Sequence, residues 1–342
     1  MSQNSPLWKR MALALASTLL ALVLAEVVLR AVDAGVITPE LNFGTNTRSG
    51  LESGDFIADP DLFWTFPAKT TGRDASLGAV HPQRPLGPKR NKQRVIILGD
   101  SCSRLALGGL PYPATLQDLL GRRASVLTAA VPGYTSHQGL AWLRLQLLAA
   151  EPDLVVIYFG WNDHWRSTGL TDCDYAQSLA GSRLRLLSLF KKRSKTPPVR
   201  VPLEHYAENL TTMVEAVEEA GGEVLLVRAP QRLTASAAGK LQSTGAMVAG
   251  DDAIKLHLDY LAVLDQVVEE TGAPVLDAAS VFTELTTASL MHGDGIHLTT
   301  SGHKVMAALV ADRVKTMLLG APPSTRTPAA LAREALRPLT NR

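Results

Sequence analysis

Between residues 94 and 279, five short runs of apolar and β-branched residues alternate with longer stretches of helical period. The runs are RVIIL (94–98), ASVLTAAV (124–131), DLVVIYFG (153–160), EVLLVRAP (223–230) and PVLDAA (274–279), each bounded by Gly, Pro or Asp. A strand that is apolar at nearly every position, rather than at every second one, has both faces buried. The segments 114–122, 137–150, 206–220, 253–271 and 302–319 repeat apolar residues at three- and four-residue spacing, as helices do when they bury one face. Together these patterns predict a parallel sheet covered on both sides, a three-layer α/β/α domain over residues 92–320.

The flanks differ in character. In residues 1–30, Lys9 and Arg10 precede the run MALALASTLLALVLAEVVLR, which only Glu26 interrupts. As a signal peptide, its apolar core is 11–25, with Val23-Leu24-Ala25 at the cleavage site. As a transmembrane anchor, it continues to Arg30 and approaches the ~20 residues that span hydrocarbon. The anchor is favoured because the apolar pattern does not stop at Ala25, and the basic residues keep the start of the helix in the cytoplasm. Either way the rest of the chain is expected outside the cytoplasm, on the periplasmic side of an inner membrane, or secreted if the segment is cleaved.

Residues 31–91 read as a linker that docks Leu62, Phe63, Trp64 and Phe66 onto the domain and is otherwise irregular. An insertion at 166–202 is leucine-rich and carries Arg183, Arg185, Lys191, Lys192, Arg193 and Lys195, as a solvated basic loop or as a lid. Residues 321–342 read as a flexible tail. A net charge of +2, with no basic stripe interleaved with aromatics, argues against nucleic acid as a partner.

In parallel α/β sheets ligands bind outside the carboxyl ends of the strands. The loops predicted there hold Gly99-Asp100-Ser101, Gly133, Asn162 with Asp163, and Asp294-x-x-His297. A serine hydroxyl needs a base to remove its proton, and the base needs a third group to hold its tautomer. Asp294 and His297, three residues apart in a turn, suit that relay with Ser101 as nucleophile. The backbone N–H groups of Ser101 and Gly133 and the Asn162 amide are candidate donors to an oxyanion. Taken singly, each of these residues is equally at home in an ordinary turn or cap. A Gly-x-Ser-x-Gly elbow is absent, because Ser103 stands where its second glycine belongs. The histidines 292, 297 and 303 match no zinc spacing and no nucleotide fingerprint occurs, so neither metal nor cofactor is expected, and His303 is expected to face solvent on the first turn of the last helix.

Gly99-Asp100-Ser101, Gly133, Gly160-Trp161-Asn162-Asp163 and Asp294-Gly295-Ile296-His297 occur in the order of the four blocks of the GDSL-type esterases. The chain resembles that SGNH hydrolase superfamily over about residues 94–319. The resemblance implies a flavodoxin-like fold, Ser101 as nucleophile, His297 as base, Asp294 as its orienter, and Ser101, Gly133 and Asn162 as oxyanion donors. Cys102 replaces the leucine usual after the serine. It either pairs with Cys173 in a disulfide, as an oxidising compartment permits, or packs as a small buried residue. Trp161, His164 and Trp165 are candidates for a sugar-binding platform, or simply pack beneath the insertion.

The reading is a serine esterase that removes an acyl group, taken as O-acetyl, from a cell-envelope carbohydrate. Alternatives are an O-acetyltransferase of an exported polysaccharide, a lipase or thioesterase, and an inactive carbohydrate-binding domain. The oligomeric state is left open.

Overall fold

The computed structural model describes residues 7–31, 42–43, 45–67, 78–89, 92–180, 196–285 and 289–337. The basic residues of the expected insertion, 183–195, lie outside them, as does much of the expected linker. α1 (Leu7–Ala31) is exposed along its length, with a mean hydropathy of 2.4 over its most apolar 18 residues. It is long and apolar enough to cross a membrane. After it come α2 (Thr45–Ser53) and an antiparallel pair, β1 (Ile57–Asp59) and β2 (Phe63–Thr65).

The main sheet then begins with β3 (Gln93–Gly99), α3 (Ser101–Arg104), α4 (Tyr112–Leu120) and β4 (Ala124–Ala130). α5 (Ser136–Trp142) runs into a π-helical turn, and β5 (Leu154–Tyr158), α6 (Asp172–Leu179), α7 (Leu203–Glu219) and β6 (Glu223–Arg228) follow. α8 (Ala235–Ser243), α9 (Ala253–Thr271), β7 (Val275–Asp277), α10 (Ala278–Glu284), α11 (Thr300–Leu318) and α12 (Pro328–Ala335) complete the described chain.

The five strands pair in the order β4-β3-β5-β6-β7, all parallel. This is the flavodoxin-like order, and its switch point lies between β3 and β5, where the chain reverses its direction of travel across the sheet. Side chains alternate between two cores. Val95, Ile97, Val156 and Leu225 pack with α4 and α11 on one face, and Ile96, Leu98, Val155 and Leu226 with α5, α7 and α9 on the other. Every one of these strand residues is buried, which explains why the strands read as continuous apolar runs.

The segment before β3 is more structured than a linker. Phe43, Leu62, Phe63, Trp64 and Val80 belong to the core of the second face. Phe63 lies within 5.4 Å of Phe43 and 4.9 Å of Tyr175, ring to ring, and holds a positive φ of 69°. That conformation costs a β-carbon residue about 1–2 kcal/mol, and burial of the whole ring offsets it. The Trp64 indole donates to Pro132 O, and the Tyr134 hydroxyl donates to Trp64 O at 2.6 Å.

Three further readings are corrected. The tail is not entirely loose, since α12 buries Ala329 and Ala332 and Arg333 reaches Glu284. His303, expected at the surface, is buried on the first turn of α11. Its Nδ1 accepts from Tyr112 N and its Nε2 donates to Leu105 O, and desolvation holds its pKa down at about 4. No disulfide forms: both cysteines are free, Cys102 packing inward with its Sγ toward Ile296 O while Cys173 sits half-buried on α6. A single Asp100 cap, accepting from Cys102 N at 2.8 Å, starts α3 and turns that side chain into the core.

Two outcomes follow from this packing. Phe43→Ala should lower unfolding stability by about 3–5 kcal/mol in a urea titration; a loss within the surface range would contradict the burial of its ring. Reductant should leave the melting temperature unchanged.

Candidate active site

The register of three strands places the site. Gly99 of β3 pairs with Ala130 of β4 and with Tyr158 of β5, so their strands end level and the loops that follow leave the sheet at one edge. The Cα of Gly99 lies so close to Ser103 and Tyr158 that a β-carbon there would sit 2.7 Å from the Ser103 hydroxyl and 3.0 Å from Tyr158 O. A side chain here would have to displace the Ser103 hydroxyl and press on the Tyr158 carbonyl where the chain turns into α3. Gly133, with φ +84°, turns the loop after β4 beneath Trp64.

At that edge Ser101, His297 and Asp294 form a continuous relay. His297 Nδ1 donates to Asp294 Oδ2 at 2.7 Å, and His297 Nε2 accepts from the Ser101 hydroxyl at 2.9 Å. Because a carboxylate only accepts, it selects the tautomer that leaves Nε2 free to receive a proton. The other oxygen of Asp294 accepts from the Ile296 and His297 N–H groups, at 2.9 and 3.0 Å. Half-burial raises the Asp294 pKa, but the His297 ring and these two amides outweigh it and hold the carboxyl well below its usual range. Asp294 is therefore ionised throughout the neutral and weakly acidic range.

Asn162 arrives from the loop after β5. Its amide donates to Asp100 Oδ2 at 2.9 Å and to Tyr134 O at 3.0 Å, so both of its hydrogens are occupied. Asp100 is fully buried, and desolvation raises its pKa to about 6 against the opposing pull of Cys102 N, His297 and Asn162. Asp163 is buried as well and is raised to about 7 by desolvation; it accepts from Ser136 N at 2.9 Å and Gly160 N at 3.0 Å. It thereby ties the β5 loop to the start of α5. The backbone N–H groups of Ser101 and Gly133 have no partner among the described residues.

Ser101, Gly133, Asn162 and His297 line one cleft of about 610 Å³, together with Trp161 and Trp165. The platform reading narrows here. His164 is wholly buried, packed against Trp161, Trp165 and Tyr260, and Trp161 reaches the cleft with 1% of its surface exposed. Trp161 stacks on His257 at 4.0 Å. Trp165 is the one member of the trio with appreciable exposed surface.

Arg200, which sequence reasoning did not single out, organises the other side of the cleft. Its Nε and Nη2 hold Asp172 at 3.0 and 2.8 Å, Nη2 also reaches Gln138, and Nη1 donates to Gly133 O. The guanidinium lies over Phe43 at 4.6 Å and Trp64 at 5.3 Å. No local pattern marks it, because its partners are 28 to 67 residues away in sequence.

Residues 97–305 match the family model described as GDSL-like Lipase/Acylhydrolase family. The chain belongs to this family. It is accordingly a carboxylic ester hydrolase of the GDSL/SGNH type. It is 25% identical over 223 residues to a bovine (Bos taurus) protein described as an isoamyl acetate-hydrolyzing esterase 1 homolog, covering 62% of this chain and 77% of that one. It is 22% identical to the GDSL esterase/lipase CPRD49 of Arabidopsis thaliana, over 67% and 81% of the two chains. Among solved structures it is similar to a lipase/acylhydrolase from Enterococcus faecalis, at 21% identity and TM-score 0.46, over 68% of this chain and all of that one. A catalytic mutant of the acetylxylan esterase Axe2 from Geobacillus stearothermophilus aligns at 20% identity and TM-score 0.44, over 69% and 97%.

The buried pair yields a further outcome. Arg200→Met leaves Asp172 without its counter-charge and should destabilise the GDSL hydrolase by about 3–5 kcal/mol. The double variant Arg200→Met/Asp172→Asn should lose less than the single one in the same denaturant titration. An equal or greater loss would mean that the ion pair is not what holds this side of the cleft.

Proposed function

We propose that Ser101 is the nucleophile, His297 the general base and Asp294 its orienting partner in the hydrolysis of an acyl ester. The observation that carries this reading is the unbroken hydrogen-bond relay from Asp294 through His297 to a serine hydroxyl that opens into the cleft. Ser101 Oγ attacks the carbonyl carbon while its proton passes to His297 Nε2. The N–H groups of Ser101 and Gly133 receive the developing oxyanion, and Asn162 joins them by exchanging its bond to Tyr134 O. His297 returns its proton to the departing alcohol, leaving an acyl-serine. Water, deprotonated by the same histidine, then releases the acid and restores the hydroxyl.

The substrate proposed is a short acyl ester, O-acetyl, on a cell-envelope carbohydrate. Leu105 and Ile296, neighbours of the reacting residues in sequence, give an apolar setting for a small acyl group, and Trp165 offers ring surface to a sugar. α1 would anchor the enzyme, with Lys9 and Arg10 on the cytoplasmic side and the hydrolase domain beyond the membrane.

The protein is expected to hydrolyse 4-nitrophenyl acetate and to be labelled by a fluorophosphonate, both lost in Ser101→Ala; label retained elsewhere would overturn the assignment. Lowering the pH from about 8 to about 5 should reduce kcat/KM by more than ~10-fold. Protonation of Asp100, whose pKa lies at about 6, weakens its hold on Asn162 in the same interval. A flat profile would contradict a role for the Asp100–Asn162 bond in the site. Asp294→Asn should cost about 10³–10⁴ in kcat.

A further inference from the structure

The two walls of the cleft differ in chemistry and in origin. Trp161, Trp165, Leu241 and Ile296 on one side belong to the matched hydrolase region. Thr47, Ser49, Ser53, Asp55 and Phe56 on the other belong to α2 and the turn after it, a segment that precedes that region. This second wall is held by contacts to several parts of the domain. The Asn42 side chain clamps residue 170 from both sides, Oδ1 accepting from Leu170 N at 2.8 Å and Nδ2 donating to Leu170 O at 3.1 Å. Phe43 is enclosed by Phe63, Trp64 and Tyr175 beneath the Arg200 guanidinium. Phe56 lies 5.5 Å from Phe66, whose other contact is the guanidinium of Arg104 at 4.2 Å. Arg104 ends the helix that Ser101 begins, so the wall and the nucleophile share a support.

The polar groups of this wall are short. Ser49, Ser53 and Asp55 are exposed, and the Ser53 hydroxyl donates to Asp55 Oδ2 at 2.7 Å. Asp55 forms no ion pair among the described residues. Both arginines that line the cleft are already committed: Arg166 holds the two oxygens of Asp251 at 3.0 and 2.6 Å, and Arg200 holds Asp172. Hydroxyls, and a carboxylate that forms no ion pair among the described residues, complement the hydroxyl groups of a neutral ring. They repel a carboxylate or phosphate brought to the same place, because like charges at short range are unfavourable.

We propose that residues 47–56 form the alcohol-side subsite of the cleft, which takes a neutral polyhydroxylated ring and discriminates against an anionic one; this rests on the serine-esterase reading above. Ester specificity would thus be set outside the family's own domain, by a segment supplied from the amino-terminal side.

The test uses the full chain in detergent with three acetyl esters: 4-nitrophenyl acetate, an O-acetylated cello-oligosaccharide and an O-acetylated oligogalacturonide. The wild type should favour the neutral over the anionic oligosaccharide by at least ~10-fold in kcat/KM. Asp55→Asn should shrink that preference about fivefold or more. Ser49→Ala/Ser53→Ala should lower kcat/KM on the cello-oligosaccharide, divided by that on 4-nitrophenyl acetate, by about 10-fold. Melting curves of the variants confirm folding, and the surface-only variant Glu215→Gln on α7 serves as a second control that should leave both ratios where they are. The proposal falls if both ratios stay at wild-type values in folded wall variants, if the oligogalacturonide is preferred, or if neither oligosaccharide is hydrolysed while 4-nitrophenyl acetate is. Failure of the underlying reading looks different: no hydrolysis of 4-nitrophenyl acetate by the wild type, or hydrolysis that survives Ser101→Ala.

Discussion

Parallel pairing of β3 with a neighbour on each side is the constraint on which the rest of this molecule depends. The three strands end level at Gly99, Ala130 and Tyr158. Two of the intervening connections leave the β3/β5 boundary in opposite directions, which opens a crevice at that edge. Ser101 and Asn162 emerge on its two sides, Gly133 beside them, and the last loop before α11 brings Asp294 and His297 across. Shifting β5 along β3 by one residue would turn its buried side chains to the opposite faces. It would also move Asn162 away from Asp100, so packing and site geometry are specified by the same register.

The edge is then made rigid by polar groups that are buried and paired. Asp100 and Asp163 are acceptors for backbone and amide hydrogens, and both have raised pKa values because the desolvation of a carboxylate outweighs those bonds. His303 and His257 show the opposite sign for the same reason, since burial disfavours the imidazolium and draws both to about 4. In the folded state the two kinds of group take up protons differently from the unfolded chain in overlapping intervals. Asp100 and Asp163 favour folding below their raised pKa values, and the histidines favour it above theirs. Their effects oppose each other across the weakly acidic range, so acid sensitivity there should be read from activity more than from stability.

Arg200 binds the excursion before β3 to the hydrolase domain. One guanidinium meets a carboxylate, a glutamine, the Gly133 carbonyl and two aromatic faces. This planar, multiply donating geometry suits arginine and not lysine. Through it, the aromatic cluster of Phe43, Phe63 and Trp64 is connected to the turn that carries Gly133. The segment read from sequence as a linker is therefore a structural wall of the cleft.

The sheet and the residues at its edge are legible from local pattern along the chain. Fully apolar strands such as VVIY bury both faces, the helical-period segments between them supply the covering layers, and Gly99, Gly133 and Asp294-x-x-His297 mark turns by local chemistry alone. The sequence also made the N-terminal helix legible, since an apolar run of that length leaves no polar face. Which further residues share the cleft with Ser101 depends on packing between distant segments. Thr47, Asp55 and Arg200 carry no local signal, Cys102 packs toward Ile296, 194 residues along the chain, and His303 and His164 are buried by elements far away in sequence. Local propensity follows from neighbours along the chain, whereas burial and the partner of a charge follow from neighbours in space.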